Sequence, residues 1–346
     1  MRILLDVMGG DHAPQVTVEG AVWAARDFGL EVVLVGREEE MRRELAKHET
    51  AGLPLTLVHA SEVVEMHEHP AMAVRAKRDS SMVVGMRMLR QGEVDAFVSM
   101  GNTGGVLAAA LLHLGRIPGV MRPALSTVYP TIKGFCFMLD VGANTDCRPQ
   151  WLQQFALMGS VYAERVLGVE RPKVGLVSNG EEETKGSQLV QETHQLLKET
   201  PGIHFIGNVE GKDIAPGMAD VVVTDGFTGN VIIKLSEGLA WMFKTMVREE
   251  LKRSPVALLG GLLARGAFDG LANRLDYAKY GGAPLLGVDG VVIVGHGRSN
   301  ALAVRNAIRV AQQAVESRVL DIIKEGLAAA GLGRGEGEGQ EGEVET

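Results

Sequence analysis

The sequence predicts a three-layer α/β/α fold around a mostly parallel sheet. Short apolar runs such as residues 221–223 show no alternation with polar residues, which is typical of strands buried on both faces. These runs alternate with segments of helical periodicity, and many of the 44 glycines fall where a run ends. We expect residues 1–332 to form one large domain, either as a single unit or as two intertwined halves.

Composition excludes several classes of protein. The formal net charge of −8 argues against nucleic-acid binding. Cys136 and Cys147 lack the spacing of metal ligands, so we expect no metal or cofactor and a reducing cytoplasm. No signal peptide is apparent, and no apolar run approaches the roughly 20 residues of a membrane span. Residues 333–346 hold five glutamates and one arginine, which predicts a disordered acidic tail.

The first half of the chain predicts strands that end in polar turns. Strand 3–7 leads into the turn 8–14, where Asp11 and His12 either orient a substrate or serve only the turn. Residues 71–90 form a basic helical segment, which is typical of a solvated face but also suits attraction of an anionic substrate. The strand that ends at Val98 leads into the turn 99–105.

The second half repeats this alternation. Strand 134–141 precedes a turn that carries Asn144, which either donates to a developing oxyanion or bonds its own turn. Strand 173–178 precedes a turn in which Lys185 either contacts an anion or belongs to an exposed acidic helix start. Strand 291–294 precedes His296, which is either a catalytic group or a buried hydrogen-bonding histidine. Ser299 is the expected N-cap of a helix that runs to about Glu325.

Residues 239–275 form an apolar and basic helical excursion, and residues 256–263 are its most apolar part. Its apolar surface suits a dimer contact, a membrane surface or an acidic protein partner.

Two strand-to-helix junctions share one pattern. Residues 101–106 and 226–231 both run Gly, any residue, Thr, Gly, any residue, Val. Glycine permits close approach to a ligand, and the free amides and dipole of a first helical turn favour an anion. Although such turns often need glycine for steric reasons, the repetition favours a phosphate cradle whose two turns face one cleft. The predicted phosphate-binding residues are Gly101, Asn102, Thr103, Gly104, Gly105, Gly226, Thr228 and Gly229.

The chain resembles the PlsX family, the phosphate acyltransferases of bacterial phospholipid synthesis. The shared motifs occur in order from residue 3 to about residue 325: DVMGGDHAP (6–14), SMGNTGG (99–105), LDVGAN (139–144), GEEETKG (180–186), GNVEGKD (207–213), DGFTGNVIIK (225–234), YGGAPLLGVDG (280–290) and GHGRSNA (295–301).

This resemblance implies transfer of a fatty acyl group from acyl carrier protein to inorganic phosphate. It also implies a fold like that of isocitrate and isopropylmalate dehydrogenases and phosphate acetyltransferases, a homodimer, and peripheral membrane association.

The residue chemistry suggests how the transfer occurs. We expect the amides of residues 101–105 and Lys185 to hold phosphate, and Asn144 or Asn230 to stabilise the oxyanion. His296 either protonates the leaving thiolate or orients phosphate. No nucleophilic cysteine or Ser-His-Asp arrangement is apparent, which favours direct attack of phosphate on the thioester. The predicted catalytic residues are Asn144, Lys185, Asp225, Asn230 and His296, with Asp225 positioning a donor.

Two other classes of function stay open on the residues alone. A metal- and NAD-dependent hydroxyacid dehydrogenase of the same fold would need converging carboxylates and a nicotinamide pocket. A non-catalytic membrane adaptor would use residues 256–263 and leave the glycine turns idle.

Overall fold

The computed structural model describes residues 1–275 and 281–332. A single sheet of 11 strands forms its middle layer. The strands are β1 (Arg2–Asp6), β2 (Glu31–Gly36), β3 (Leu55–His59), β4 (Ala96–Ser99), β5 (Ala124–Thr131), β6 (Gly134–Leu139), β7 (Lys173–Val177), β8 (His204–Val209), β9 (Val221–Val223), β10 (Ala283–Leu286) and β11 (Val291–Val294).

Helices cover both faces of this sheet. They are α1 (Gln15–Phe28), α2 (Glu38–Leu45), α3 (Pro70–Ala76), α4 (Ser81–Arg90), α5 (Thr103–His113), α6 (Pro149–Arg165), α7 (Gln188–Glu199), α8 (Gly211–Ile214), α9 (Gly226–Leu251), α10 (Pro255–Leu263), α11 (Arg265–Leu275), α12 (Ala301–Glu316) and α13 (Val319–Ala329). The predicted α/β/α class is confirmed.

The sheet is parallel at both ends and antiparallel in its middle. The strand order is β3-β2-β1-β4-β11-β10-β5-β6-β9-β7-β8. Strands β1 to β4 and β11 run one way, while β10 and β5 are each antiparallel to both of their neighbours. Strands β6, β9, β7 and β8 are parallel to one another and therefore run opposite to β4. We call the carboxyl ends of β1, β4 and β11 the first edge, and those of β6 to β9 the second edge.

Apolar side chains pack each helix layer onto the sheet. Around β1 and β4, helices α1 and α12 cover one face, and α4 and α5 cover the other. Around β6 and β9, helices α6 and α13 cover one face, and the start of α9 covers the other through Ile232 and Ile233. The short strands are buried because helices lie on both sides, which is what uninterrupted apolar runs predict.

Helix α9 passes from the second edge across the sheet and then extends away from it. Its 26 residues span about 39 Å at 1.5 Å per residue. Tyr129 near the end of β5 lies against the third turn of α9, where its hydroxyl is 3.0 Å from Ser236 Oγ. The third turn of α9 therefore reaches the first edge.

Some predicted boundaries were wrong. The N-cap of α12 is Asn300 rather than Ser299, because the Asn300 side chain accepts a hydrogen bond from the Ala303 amide. This helix ends at Glu316 rather than near Glu325, and Arg318 takes a left-handed conformation (φ 53°) before α13. The basic segment 71–90 is two helices, α3 and α4, and the second begins at Ser81, within residues 79–81 where the sequence allows a helix start. The predicted tail, 333–346, lies outside the described residues.

Candidate active site

Three turns pack together at the first edge. The Asp11 amide, after β1, donates to the carbonyl of Gly297, after β11, at 2.8 Å. A Cβ added to Gly9 would lie 2.7 Å from the amide nitrogen of Gly101, after β4. Glycine is required here because the turns touch through their backbones. Together the three turns form one floor.

A buried carboxyl group holds this floor in place. Asp6 Oδ2 accepts a hydrogen bond from Ser99 Oγ at 2.8 Å, and Ser99 Oγ accepts one from the Gly101 amide at 3.0 Å. Burial raises the pKa of Asp6, although hydrogen bonds from Ser81 and Ser99 oppose the increase. Asp6 acts through Ser99 and does not itself face the solvent.

Within the turn 101–105, only part of the predicted phosphate site is open. The buried Asn102 is the N-cap of α5: its Oδ1 accepts from the Gly105 amide at 3.0 Å, and its Nδ2 lies 3.1 Å from the Met66 carbonyl. Thr103 is exposed and Gly104 is half-buried. Their amides lie in the first helical turn, whose N–H groups have no intrahelical acceptor. An anion at this turn would therefore meet Thr103 and Gly104.

His296 lies at the same edge and is exposed. Its Nδ1 accepts a hydrogen bond from the Arg298 amide at 3.2 Å, which leaves the proton of the neutral ring on Nε2. Partial burial, followed by the positive charge of Lys234, lowers the pKa of His296. The neutral imidazole is thus favoured.

The contribution of Lys234 to this cleft was missed by the sequence reasoning. Lys234 belongs to the third turn of α9, and its Nζ lies 2.9 Å from a carboxylate oxygen of Glu237. It follows Asn230 by four residues, so both side chains lie on one helix face. This spacing within residues 225–234 was the available signal.

Two residues of the turn after β11 were also missed. Arg298 is exposed, and its charge contributes to the lowered pKa of His296. Ser299 is buried, and its hydroxyl has no hydrogen-bond partner among the described residues. A buried hydroxyl without a partner is unusual and can receive a ligand atom.

At the second edge, Asp140 organises the turn after β6. This fully buried carboxylate accepts from the amides of Leu125, Gly142, Ala143 and Asn144 at 2.7–3.1 Å. The Asn144 side chain donates to Asp140 at 2.8 Å and to the Pro123 carbonyl at 2.7 Å. Both amide hydrogens of Asn144 are therefore used, which argues against Asn144 as the oxyanion donor.

The second glycine turn packs directly on this Asp140 turn. The Gly226 amide donates to the Asn144 carbonyl at 2.7 Å, and a Cβ on Gly229 would overlap the Asp140 carbonyl oxygen. Asp225 is the N-cap of α9 and accepts from the Thr228 amide at 2.8 Å and from its hydroxyl at 2.7 Å. Here the glycines have a steric role, since they let α9 begin against the turn.

Asn230 differs from these neighbours. It is exposed, and the one protein contact of its Nδ2 that we identify is with the Val141 carbonyl at 3.2 Å. An amide nitrogen carries two hydrogens, so one is available to a ligand. Asn230 and Lys234 are four residues apart on α9 and therefore share a helix face.

The prediction that both glycine turns face one cleft was wrong. Strands β4 and β9 run in opposite directions and lie five steps apart in the sheet, about 24 Å. Lys185 is exposed on the loop after β7, a strand six steps or about 29 Å from β4, so its pairing with residues 101–105 stays a prediction. The third turn of α9 instead acts on the first edge through Lys234, whose charge lowers the pKa of His296.

Comparison with known proteins agrees with the motifs. A family model described as fatty acid synthesis protein matches residues 1–321. A phosphate acyltransferase from Dictyoglomus turgidum is 51% identical over 328 residues, covering 94% of this chain and 98% of that protein. One from Heliobacterium modesticaldum is 52% identical over 327 residues, covering 94% and 97%.

Solved structures share the fold at low identity. A phosphotransacetylase from Streptococcus pyogenes aligns with a TM-score of 0.61 at 20% identity, over 91% of this chain and 94% of that one. A 4-hydroxythreonine-4-phosphate dehydrogenase from Klebsiella pneumoniae aligns with a TM-score of 0.52 at 15% identity, over 90% and 99%. These similarities support the predicted acetyltransferase-like and dehydrogenase-like fold. The chain therefore belongs to the fatty acid synthesis protein family, the PlsX family that its motifs resemble.

Proposed function

We infer that this chain is a phosphate acyltransferase that moves a fatty acyl group from the thioester of acyl carrier protein to inorganic phosphate. The observation that carries this inference is the packing of three turns at the first edge, which brings the start of α5 and the turn of His296 onto one floor, with the charge of Lys234 acting on His296. A cleft of donors and positive charge suits an anionic nucleophile. The names of the relatives at about 50% identity support the same reaction.

We place phosphate between the start of α5 and the third turn of α9. The amides of Thr103 and Gly104 and the dipole of α5 would hold its oxygens, with the His296 ring on the neighbouring turn. Lys234 would supply the opposing charge. Lys185 lies outside this placement of phosphate, so it stays a candidate phosphate ligand only if phosphate is also contacted from outside the first-edge cleft.

In the transfer step, a phosphate oxygen attacks the thioester carbonyl, the carbon–sulfur bond breaks, and the thiolate leaves and is protonated. Negative charge grows on the carbonyl oxygen before the bond breaks. The free amide hydrogen of Asn230 is suited to stabilise it, and such a donor typically contributes about 100- to 1,000-fold to the rate.

Direct attack agrees with the state of the two cysteines. Burial raises the pKa of both Cys136 and Cys147 to about 12, so neither forms a thiolate at neutral pH. An acyl-enzyme on either cysteine is therefore disfavoured. A trapped covalent acyl adduct would contradict direct attack.

The decisive experiment measures acyl phosphate formation from acylated carrier protein. Incubation with labelled phosphate should give labelled acyl phosphate and free carrier in equal amounts. Release of carrier without any dependence on phosphate would contradict the proposed reaction, and binding of NAD would favour the dehydrogenase alternative.

We also propose that the chain acts in the cytoplasm as a homodimer at a membrane surface. Helix α9 exposes a row of large apolar side chains that suits a second copy of the chain. These are Phe227, Val231, Leu235, Leu239, Met242, Phe243 and Met246. Helix α10 exposes another set, and Lys252 and Arg253 precede it, a combination that suits an anionic bilayer. Sedimentation and vesicle flotation test the two contacts separately.

Within the described residues, none of the helices combines the length and the apolar character that crossing a bilayer requires.

A further inference from the structure

A positively charged surface lies on helices α3 and α4. Residues 66–90 contain five Lys and Arg residues against one Glu and one Asp, a net charge of +3 in a chain of net charge −8. We call the exposed arginines of this segment the basic surface: Arg75, Arg78, Arg87 and Arg90. The surface is a local exception to the charge of the whole protein.

These arginines are not neutralised by carboxylates. The neighbouring Lys77 is neutralised by a carboxylate, because its Nζ lies 2.6 Å from Glu68 Oε2. By contrast, Arg87 and Arg90 donate to the carbonyls of Arg78 and His113. In the described part of the chain, no carboxylate lies within ion-pair distance of the basic surface. The charge of Arg87 acts on Asp79, whose pKa it helps to lower, but the exposed arginines form no ion pair with a carboxylate of the described residues and are available to an anionic partner.

The basic surface adjoins the first-edge cleft. Asn102 Nδ2 ties the turn 101–105 to the carbonyl of Met66, and a Cβ on Gly104 would lie 2.7 Å from Pro70, the first residue of α3. Met66 also lies over the turn after β11, since a Cβ on Gly297 would be 2.8 Å from its methyl group. Met66 and Pro70 therefore place the start of α3 at the mouth of the cleft. Helix α4 runs away from it to Arg90, which donates to the His113 carbonyl at the far end of α5.

Two apolar side chains lie among these cations. Met66 is 43% exposed, and Met72 on α3 is 69% exposed. Met72 and Arg75 are three residues apart and lie on one helix face. Exposed methionine beside arginine is a combination enriched at protein–protein interfaces.

We propose that the basic surface binds an acidic face of the protein that carries the acyl thioester. This inference rests on the proposed function, in which the thioester must reach the cleft while attached to its carrier. A carrier that docks at the cleft mouth can deliver the acyl group directly. An anionic bilayer has no such need to lie beside the cleft, so the position favours a protein.

The test compares two acyl donors in a double variant, Arg75→Glu/Arg78→Glu. With acylated carrier protein, KM should rise about tenfold and kcat should stay unchanged, because complementary charges act mainly on encounter. With a small acyl N-acetylcysteamine thioester, KM should not change. The matched control is Arg165→Glu on α6, an exposed arginine on the other half of the sheet, which should leave both donors unaffected.

Direct binding separates this proposal from the proposed function. The affinity of the full chain for acylated carrier protein, measured by fluorescence anisotropy, should weaken about tenfold in the double variant and recover little at low salt. If the wild-type chain binds acylated carrier protein but shows no phosphate-dependent turnover, the proposed reaction is refuted, while the proposed docking role of the basic surface still stands. Unchanged carrier affinity, or loss of vesicle binding instead, would overturn the proposal.

Discussion

Asn144 donates two hydrogen bonds to the same oxygen of Asp140, one from its backbone amide at 2.7 Å and one from its side chain at 2.8 Å. Its other side-chain hydrogen reaches the Pro123 carbonyl. Asn144 thus links the end of β6 to the start of β5. An amide residue that seemed suited to catalysis instead stabilises a turn.

Replacement of Asn144 and Asn230 by alanine should separate stability from catalysis. Asn144→Ala removes one hydrogen bond to the buried Asp140 carboxylate and one to the Pro123 carbonyl, and it should cost roughly 1–3 kcal/mol of unfolding free energy. Asn230→Ala changes an exposed residue, so it should keep the stability and lower kcat by about 100- to 1,000-fold. Urea unfolding and initial rates measure the two effects. The reverse pattern would return the oxyanion role to Asn144.

Gly229 should tolerate no side chain. Its added Cβ would overlap the Asp140 carbonyl, so Gly229→Ala should destabilise the fold by roughly 3 kcal/mol, the upper end for overpacking. Gly238 on the same helix is the matched control, because an added Cβ there meets no atom within 4 Å. Gly238→Ala should raise stability by about 1 kcal/mol. Equal thermal midpoints for both variants would contradict the steric role.

The fold was predictable because burial leaves a direct trace in the sequence. The run 221–223 is apolar on both faces since helices cover both sides of β9. Strand direction leaves no such trace. The antiparallel strands β10 and β5 reverse the strand direction in the second half of the sheet. The sequences of residues 101–106 and 226–231 do not indicate on which edge of the sheet each turn lies.

The site was predictable only in part for a related reason. Strand-to-helix turns were found correctly as places where the chain presents polar groups, and His296 lies at such a turn. Lys234 is inside a helix, and it enters the cleft only because α9 crosses the sheet to reach Tyr129. That crossing depends on tertiary packing, which local patterns do not encode.

The two lysines give a matched comparison for phosphate binding. Lys234→Ala should raise the phosphate KM about tenfold or more, because it removes a cation that faces the phosphate site. Lys185→Ala should leave the phosphate KM nearly unchanged if each site is built from one chain. Initial rates at varied phosphate concentration decide between them, and a larger effect at Lys185 would place phosphate at the second edge.

His296 should set the acid limb of the pH profile. Its pKa lies below the usual 6.5, so the ring stays neutral as pH falls through 6.5 and becomes charged only at lower pH. If the neutral ring donates to phosphate, kcat/KM should stay level through pH 6.5 and then fall. In Lys234→Ala, the loss of a repelling charge should raise the pKa of His296, as NMR titration would detect. If the His296→Gln variant keeps the acid limb of the pH profile, that limb arises from a group other than His296.

The same linkage applies to stability. The unfolded chain binds a proton to His296 near pH 6.5, before the folded chain does, so the contribution of this group to stability declines as pH falls below that value.

Helix α9 joins the candidate site to an exposed apolar surface. Its first three turns pack on the sheet, where the Gly226 amide donates to the Asn144 carbonyl and Ser236 Oγ lies 3.0 Å from the Tyr129 hydroxyl. The helix then extends to Leu251, about 38 Å from Gly226. A misplacement of about 1 Å can change a rate about a hundredfold. A partner that binds the far part of α9 is thus connected to Lys234 by one continuous helix, and the position of that lysine depends on how the partner holds the helix.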